Sequence, residues 1–492
     1  MGALDNVIGF FSPERALRRA RARVALSAVR AFEGAARTDG WRVRRAGASA
    51  DADHAADARE LRNRARSLVQ NVPYCTRSLQ ALVSAAIGTG IVPKAEGRNA
   101  KKLDALWAQW GKVADADGLF DIYGVQAAAY RAMEQDGEVL IRRRSRRLDD
   151  GLPVPLQVQV LEIDWLDSNK SGALPNGGRI VNGIELDALG KVRAYWLFGS
   201  HPGDIVRGTL RLNSIAVPAT DIIHLYDPRR PGQGRGITRF APVIARVRDL
   251  ALYEDAELAR KNLETRLSVL VSGDPENMGN QGLPGDTLPN GAAPDADLGE
   301  LPSGGVHQIP PGMDFHTVEP KAAGGYAEYC KLGLHLITAG LGVPYESATG
   351  DMNEVNYSSA RIRQMEFRRD TEQLQWLVLV PRMCDRLWTW FCDAALLAGA
   401  VRTVDYIAEW STPRWDYVNP KDDIDSELAA IAGGLLTPSE SLRRRGYDPE
   451  KVFAELGSDF KRLDQAGALD LMRFLLTKGG GAAAPAPATG DQ

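Results

Sequence analysis

Cysteine is scarce and scattered: the 492-residue chain holds Cys75, Cys330, Cys384 and Cys392, with no CxxC pair. That spacing offers neither a disulfide frame nor a zinc site, and it reads as the reduced thiols of a cytosolic protein. No run of about eighteen uninterrupted apolar residues is present, so no membrane-spanning helix is expected. Asn6 stands where a myristoylation signal needs Ser or Thr, and no secretory leader is read. A dominant charge sign is missing too. The chain has 60 Lys and Arg against 63 Asp and Glu, a formal charge of −3. This excludes a basic wrapper of nucleic acid and leaves any DNA contact local or transient.

The motifs of common chemistries are equally absent. No P-loop follows a strand, the 6 histidines form no HExxH, and there is no nucleophile elbow. No catalytic residue, cofactor or metal is therefore assigned. One carboxylate set has two readings: Asp164, Asp167, Asp221 and Asp227 at strand ends either cap turns or hold magnesium for a nuclease.

What is there is an ordinary globular composition, 44% hydrophobic and 25% charged, long enough for several domains or one elongated multi-part subunit. Ser12-Pro13-Glu14 opens a basic helix reaching about Phe32, either a solvated face or an interaction arm. Leu61 to Ile87 forms an amphipathic helix, a break at Pro73, and a second helix stopped by Gly88 and Gly90. A further helix covers about Ala100 to Val113, with Trp107 and Trp110 on its core face. Strands are expected in Leu156 to Asp167, in two arms of Gly183 to Phe198 turning at Leu189-Gly190, and in Asp221 to Pro228. Arg142, Arg143 and Arg144 close the segment DGEVLIRRR as a solvated strand end or a phosphate contact.

Pro242 to Val271 then reads as a long helix in which acids and bases alternate between apolar positions, a pattern suited to bridging domains or packing beside copies of itself. Gly273 to about Pro311 is rich in Gly, Pro, Asn and Asp, either an unstructured insertion or a functional one. A second helix, about Tyr326 to Ala339, comes next, so the insertion stands on a two-helix stalk. That helix ends at Gly340 and Gly342, and Pro344 blocks its resumption. A polar loop holds Asp351, Asn353, Glu354, Asn356 and Tyr357, able to touch a polyanion without gripping it or simply a bland surface loop.

The next helix opens near Ser358 and Ser359 and runs to about Ala398, kinked at Pro381, with Trp376, Leu377, Leu387, Trp388, Trp390 and Phe391 buried. A strand-like piece lies around Arg414 to Tyr417. Gly433-Gly434 ends a helix, Thr437 caps another before Pro438, and a last one starts after Asp448-Pro449. From Gly479 the tail GGGAAAPAPATGDQ is expected to be disordered.

From about Leu61 to Met472 the wording resembles the lambda-type tailed-phage portal proteins. The pieces that carry it include RNRARSLVQNVPYCTRSL, VSAAIGTGIVP, VQVLEIDWLD, NGIELDALGKVRAYWLF, IIHLYDPRRPGQGRGI, APVIARVRDLALYEDAELARKNL, GVPYE with TGD and VNYSSAR, and GLLTPSESLRRRGYDPE. The resemblance implies an elongated α+β subunit with a wing, a two-helix stem, a clip insertion and an α-helical crown. The wing would be 61–241, the first stem helix 242–271, the clip 272–321 and the second stem helix 322–341. A tunnel loop and long wing helix would occupy 342–400, a wing strand and connection 401–430, and the crown 431–478. The basic segment 1–60 and the tail 479–492 lie outside it.

By the same likeness the chain would form a virion ring of about twelve copies at one capsid vertex, through which double-stranded DNA is packaged and ejected. Asp351, Asn353, Glu354, Asn356 and Tyr357 would face the lumen, with Gly350 and Gly340 supplying backbone freedom. Arg248, Asp249, Glu254, Glu257, Arg260 and Glu264 would pair between neighbouring stems. Asp295, Asp297 and Glu300 of the clip would receive the terminase large subunit. The remaining partners would be the major capsid protein and head-tail adaptors, with assembly in the host cytoplasm and no membrane contact. A different structural head protein and a magnesium nuclease are the rival readings.

Overall fold

The computed structural model describes residues 49–204, 213–265, 269–272, 314–317, 325–353, 356–415, 420–445, 447 and 449–468. The expected basic helix of residues 12–32, most of the clip with Asp295, Asp297 and Glu300, and the tail lie outside them. The chain divides into two units. The smaller is described through α1 (Ala50–Ala55) and residues 230–233, where Arg230 pairs with Asp53 at 2.7 Å.

The larger unit begins with α2 (Ala58–Asn71) and α3 (Pro73–Ala86), separated at Pro73 as the sequence predicts. Pro73 fits at the first position of α3 because its missing N–H would be unpaired there in any case. Next come β1 (Val92–Ala95), α4 (Ala100–Trp110) and α5 (Ile122–Asp136). Asp121 caps α5 by accepting from Gly124 N–H at 2.7 Å. The strands β2 (Glu138–Ser145), β3 (Leu156–Glu162) and β9 (Ile222–Tyr226) form an antiparallel sheet in the order β3-β2-β9. Between them in sequence, β4 (Gly172–Ala173), β5 (Arg179–Val181), β6 (Ile184–Leu186), β7 (Val192–Phe198) and β8 (Ser214–Pro218) make a second antiparallel sheet. The turn at Gly190, φ +83°, joins β6 to β7.

Two cores result. The main one contains Trp107, Trp110, Trp388 and Phe391, whose ring centroids lie 5.0–5.4 Å apart in the contacting pairs. The smaller core joins the two sheets through Leu140, Leu161, Leu166, Ile184, Tyr195, Leu197, Val217 and Ile222. β2 serves both: Val139 and Ile141 face the main core and Leu140 the other, the alternation of a strand buried on both faces.

A buried charged cluster ties these sheets to the loop that leads into the next helix. Arg235 Nε and Nη2 donate to Glu138 at 2.9 and 2.6 Å, and His224 Nε2 lies 2.9 Å from the same carboxylate. Arg235 Nη1 reaches Asn182 O at 3.1 Å. Burial alone would raise the Glu138 carboxyl, but Arg235 and His224 outweigh it and hold it well below the usual carboxylate range. Burial, the larger influence on His224, pushes its imidazole down against the opposing pull of Glu138.

After this loop, α6 (Ile244–Thr265) and β10 (Val269–Ser272) replace the expected single helix 242–271. The apolar run VLV, with β-branched Val269 and Val271, pairs instead with β11 (Asp314–Thr317), register Val269↔Thr317 to Ser272↔Asp314. α7 (Tyr326–Leu341) comes next, then α8 (Tyr345–Thr349) and α9 (Tyr357–Leu374). A π-helical stretch, Gln375–Cys384, contains Pro381 and leads into α10 (Asp385–Leu397). Asp385 N–H bonds Val380 O, an i→i−5 link. This changes the expected burial: Leu387, Trp388, Trp390 and Phe391 are buried, whereas Trp376 and Leu377 are 50% and 64% exposed. A 3.6-residue period projects the wrong face through a widened turn.

β12 (Ala408–Ser411) pairs with β1, so the strand expected at 414–417 lies earlier; Arg414 and Trp415 are in irregular chain. Within the stretch expected as a connection lies α11 (Pro420–Ala432). Thr437 caps α12 (Pro438–Arg444), accepting from Glu440 N–H at 3.1 Å, and α13 (Pro449–Gln465) completes the described fold.

Candidate functional site

Helices α6 and α7 pack antiparallel, and two glycines let them approach closely. A Cβ on Gly340 would sit 2.4 Å from Val243 Cγ1, and one on Gly333 would sit 3.3 Å from Leu250 Cδ1. Both pairs are separated by seven residues, two helical turns, so Val243 and Leu250 seat as knobs over glycine gaps. Gly340 therefore lies inside α7 as a packing residue, which corrects its expected role in loop freedom. Gly340→Ala is expected to destabilise the helix pair by about 1–3 kcal/mol, read as a lower thermal midpoint by calorimetry. Tyr253 extends the contact, with ring centroids 4.4 Å from Tyr329 and 5.8 Å from Tyr326.

Beside this contact α7 leaves further apolar side chains uncovered. Leu332 and Leu336 are 59% and 50% exposed and Tyr329 projects beside them, while α6 exposes Leu252 and Leu258.

The charged residues expected to pair between stems are placed differently. Glu257 is bound by Arg260 of its own helix, Nε to Oε2 at 2.9 Å, and that hydrogen bond holds its carboxyl below the ordinary range. Glu254 lines a small cavity within its own chain with Val72, Tyr74, Cys75, Val247, Leu250 and Ile337, and partial burial raises its carboxyl. Arg248 and Asp249 lie exposed, 3.5 Å apart. The Glu264 side chain is outside the described residues.

The polar loop is shorter and better anchored than the sequence indicates, because α8 occupies its first part. His335 stacks on Tyr345 at 4.0 Å, Arg363 pairs with Glu346 at 2.5 Å, and Arg77 donates to Ser347 O at 3.2 Å. Gly350, φ +77°, ends α8 in the left-handed conformation. Tyr345 Oη then donates to Asp351 at 3.3 Å, and Asp351 accepts from Asn353 N–H at 3.1 Å. Asn356, rather than Ser358 or Ser359, caps α9, accepting from Ser359 N–H at 2.9 Å. Tyr357 becomes the first residue of α9. Its side chain and all of Glu354 lie outside the described residues. The outward groups are thus Asn353, Asn356 and Met352, which is 65% exposed. Sequence reasoning overlooks Met352; a lone flexible thioether at the tip of a polar loop is its signal.

The strand-end aspartates do not converge. Asp164 accepts from Arg62 at 2.9 Å and from Arg66 at 2.7 Å, and Asp167 accepts from Ser214 Oγ at 2.6 Å. Among the described residues, Glu162, Asp164 and His201 bring ligand atoms within 4.8 Å of one another. Arg66 also lies 3.2 Å from Glu162, so guanidinium charge already fills this cluster. The magnesium nuclease reading has no geometric support.

A close helix pair with exposed leucines thus lies beside a pinned polar loop. The sequence profile described as "Phage portal protein, lambda family" matches residues 34–375. The chain belongs to the lambda family of phage portal proteins, structural components of the virion at the head-tail connection. It is 26% identical over 438 residues to a protein of Halomonas phage phiHAP-1 described as a "Probable portal protein", covering 85% of this chain and 83% of that one. The portal protein of Escherichia phage N15 is 22% identical over 47% of this chain and 49% of its own length, so the match spans about half of that relative. Among solved structures, the neck of a native gene transfer agent particle computed with C12 symmetry is similar at TM-score 0.47 and 15% identity, covering 80% of this chain and 94% of that one. An HK97-family portal protein from Corynebacterium diphtheriae is similar at TM-score 0.37 and 13% identity, covering 74% of this chain and 98% of that one.

Proposed function

We propose that this portal protein forms a closed ring of about twelve copies at one capsid vertex, a heterologous interface repeated until it closes. In this reading α6 and α7 are the stem, and the β10–β11 ribbon is the base of the clip. The loop 350–356 lines the lumen, and α12 and α13 build the crown. The observation that carries it is the set of apolar side chains that the helix pair leaves exposed, Leu252, Leu258, Tyr329, Leu332 and Leu336, which neighbouring copies would cover. The stem charges then lie at the margins of that seam rather than forming it. Electron microscopy of the purified chain tests the reading: a ring with an axial hole supports it, and a lone globule overturns it.

Double-stranded DNA is the substance conducted, driven in by a terminase large subunit at the clip and released later through adaptor proteins, with the major capsid protein around the wing. Assembly takes place in the host cytoplasm. A ring of about twelve copies, each at −3, carries about −36 and keeps the duplex centred by repulsion. Asn353, Asn356 and Met352 then supply only weak contacts, as multi-site conduction requires. Deleting residues 351–356 is expected to leave rings visible by microscopy while DNA packaging falls at least tenfold. Normal packaging by that deletion would return the loop to a plain surface connection and favour a different structural head protein.

A further inference from the structure

The sheet β3-β2-β9 is covered by the second sheet at only one end of one face. Leu140 and Leu161 lie in the core between the sheets. Two and four residues further along β2, on the same face, stand Arg142 and Arg144, and Arg146 continues the row just past the strand. Their neighbours across the ladder are amides. Arg144 Nε donates to Gln159 Oε1 at 2.9 Å, and Arg146 Nε donates to Gln157 Oε1 at 2.8 Å. The Arg142 guanidinium has no hydrogen-bonded partner among the described residues.

The amides are fixed in turn: Gln157 Nε2 donates to Val113 O at 2.9 Å and to Asp115 O at 3.0 Å, and Gln159 Nε2 donates to Asp117 at 2.8 Å. The row is therefore held by rigid neutral props rather than neutralised by carboxylates. Asp117 and Asp221 at its edges act on Arg144 and Arg142 respectively, but partial burial lowers both guanidinium pKa values, and on Arg144 the charges of Arg142 and Arg146 add to the fall. Three like charges held side by side and partly desolvated are costly unless an anion relieves them.

The geometry points to a second nucleic-acid contact on the wing, in which Arg142, Arg144 and Arg146 grip successive phosphates of one DNA strand. Residues two apart on a strand are about 6.8 Å apart, and neighbouring phosphates are separated by one sugar-phosphate repeat, a span of the same order. A guanidinium offers a planar fork of donors that matches phosphate oxygens, and its position is already set by the glutamines. This grip would differ from the loop contact in kind: charge-assisted, salt-sensitive and static, suited to holding packaged DNA against the wing rather than passing it. The proposal rests on the portal reading for its DNA, yet it is measured separately from ring formation.

The test is binding of a fluorescent 30-base-pair duplex to the full chain across a salt series, with ring formation checked by microscopy. The Arg142→Gln, Arg144→Gln, Arg146→Gln triple variant is expected to flatten the log-log salt slope by about 2.7, three phosphate contacts' worth. The corresponding triple lysine variant is expected to keep the slope and lose only part of the affinity. Because the Arg142 guanidinium has no hydrogen-bonded partner among the described residues, the single variant Arg142→Gln breaks no side-chain bond of the fold, and it is expected to flatten the slope by about 0.9. An unchanged slope in this single variant overturns the proposal. So does poly-glutamate binding to the row in place of the duplex, which would make it a docking strip for an acidic protein. Rings absent with the slope as expected would instead sink the portal reading alone.

Discussion

Replacing Leu258, Leu332 and Leu336 together with aspartate is expected to abolish rings and leave folded monomers. Each side chain is half exposed or more in the single chain and absent from its buried core, so the substitutions introduce charge where the monomer already meets water. In a closed ring the same positions would be buried at every seam. Losing about 1.5–3 kcal/mol for each large apolar side chain amounts to a weakening of the seam of roughly a thousandfold or more, before the cost of burying three carboxylates. Native mass spectrometry reads the outcome directly: monomers for the triple variant, closed rings for the parent chain. Reversing Glu254, Glu257 and Glu264 to lysine is expected to perturb assembly less, since Glu257 is occupied by Arg260 and Glu254 faces its own chain. If the charge reversal dissolves the ring and the aspartate variant leaves it whole, the assignment of the seam is wrong.

The second large effect concerns Glu138. Glu138→Gln removes the negative partner of a buried Arg235, and breaking a buried ion pair from one side costs about 3–5 kcal/mol. Chemical denaturation followed by tryptophan fluorescence is a suitable readout, because Trp107, Trp110 and Trp388 lie in the main core that β2 helps to form. The dependence on acidity has a defined direction. Glu138 is held below its unfolded value of about 4.3, so its contribution is complete above that pH and drains away as the pH falls toward the depressed folded value. His224 is also depressed, from an unfolded value of about 6.5, so the unfolded chain takes up a proton first and stability begins to fall below about pH 6.5. Both groups thus make acid destabilising. His224→Gln is expected to remove the portion of the slope between neutrality and the carboxylate range, and Glu138→Gln the portion below it. A pH profile identical to that of the parent in both variants would deny the cluster this role.

How much of this is readable from the residues depends on the range of the forces involved. Pro73, Leu189-Gly190, Thr437-Pro438 and the tryptophans of α4 are legible because caps, turns and core periodicity are local. The Asp121 cap and the left-handed Gly137 at φ +96° mark α5 just as plainly, although the strand patterns close behind it mask the segment. The β1–β12 pair is not legible: it joins residues more than three hundred positions apart, and the short strand VPKA contains a proline. Periodicity misplaces Trp376 and Leu377 because the π-helical stretch around Pro381 breaks the repeat on which their burial is inferred.

For the site, the position of the polar loop is visible in the sequence and its restraint is not. Nothing in the spacing of Tyr345, Glu346 and Asp351 indicates that Arg363, Arg77 and His335 hold that end down. The outward leucines of α7 are hidden for a different reason. A helix with more apolar side chains than its packing covers looks in sequence like an ordinary core helix, and only the packed monomer shows which of them stay exposed.

The short ribbon of β10 and β11 brings Ser272 directly opposite Asp314. Whatever chain runs between those two residues begins and ends at one doorway, and lengthening a closed loop costs only about 0.6 kcal/mol per doubling. A change of length in that interval is therefore expected to leave the pairing behind it intact. A foreign domain grafted there would start and finish at the same doorway, and the sheets and helices behind it would keep their register.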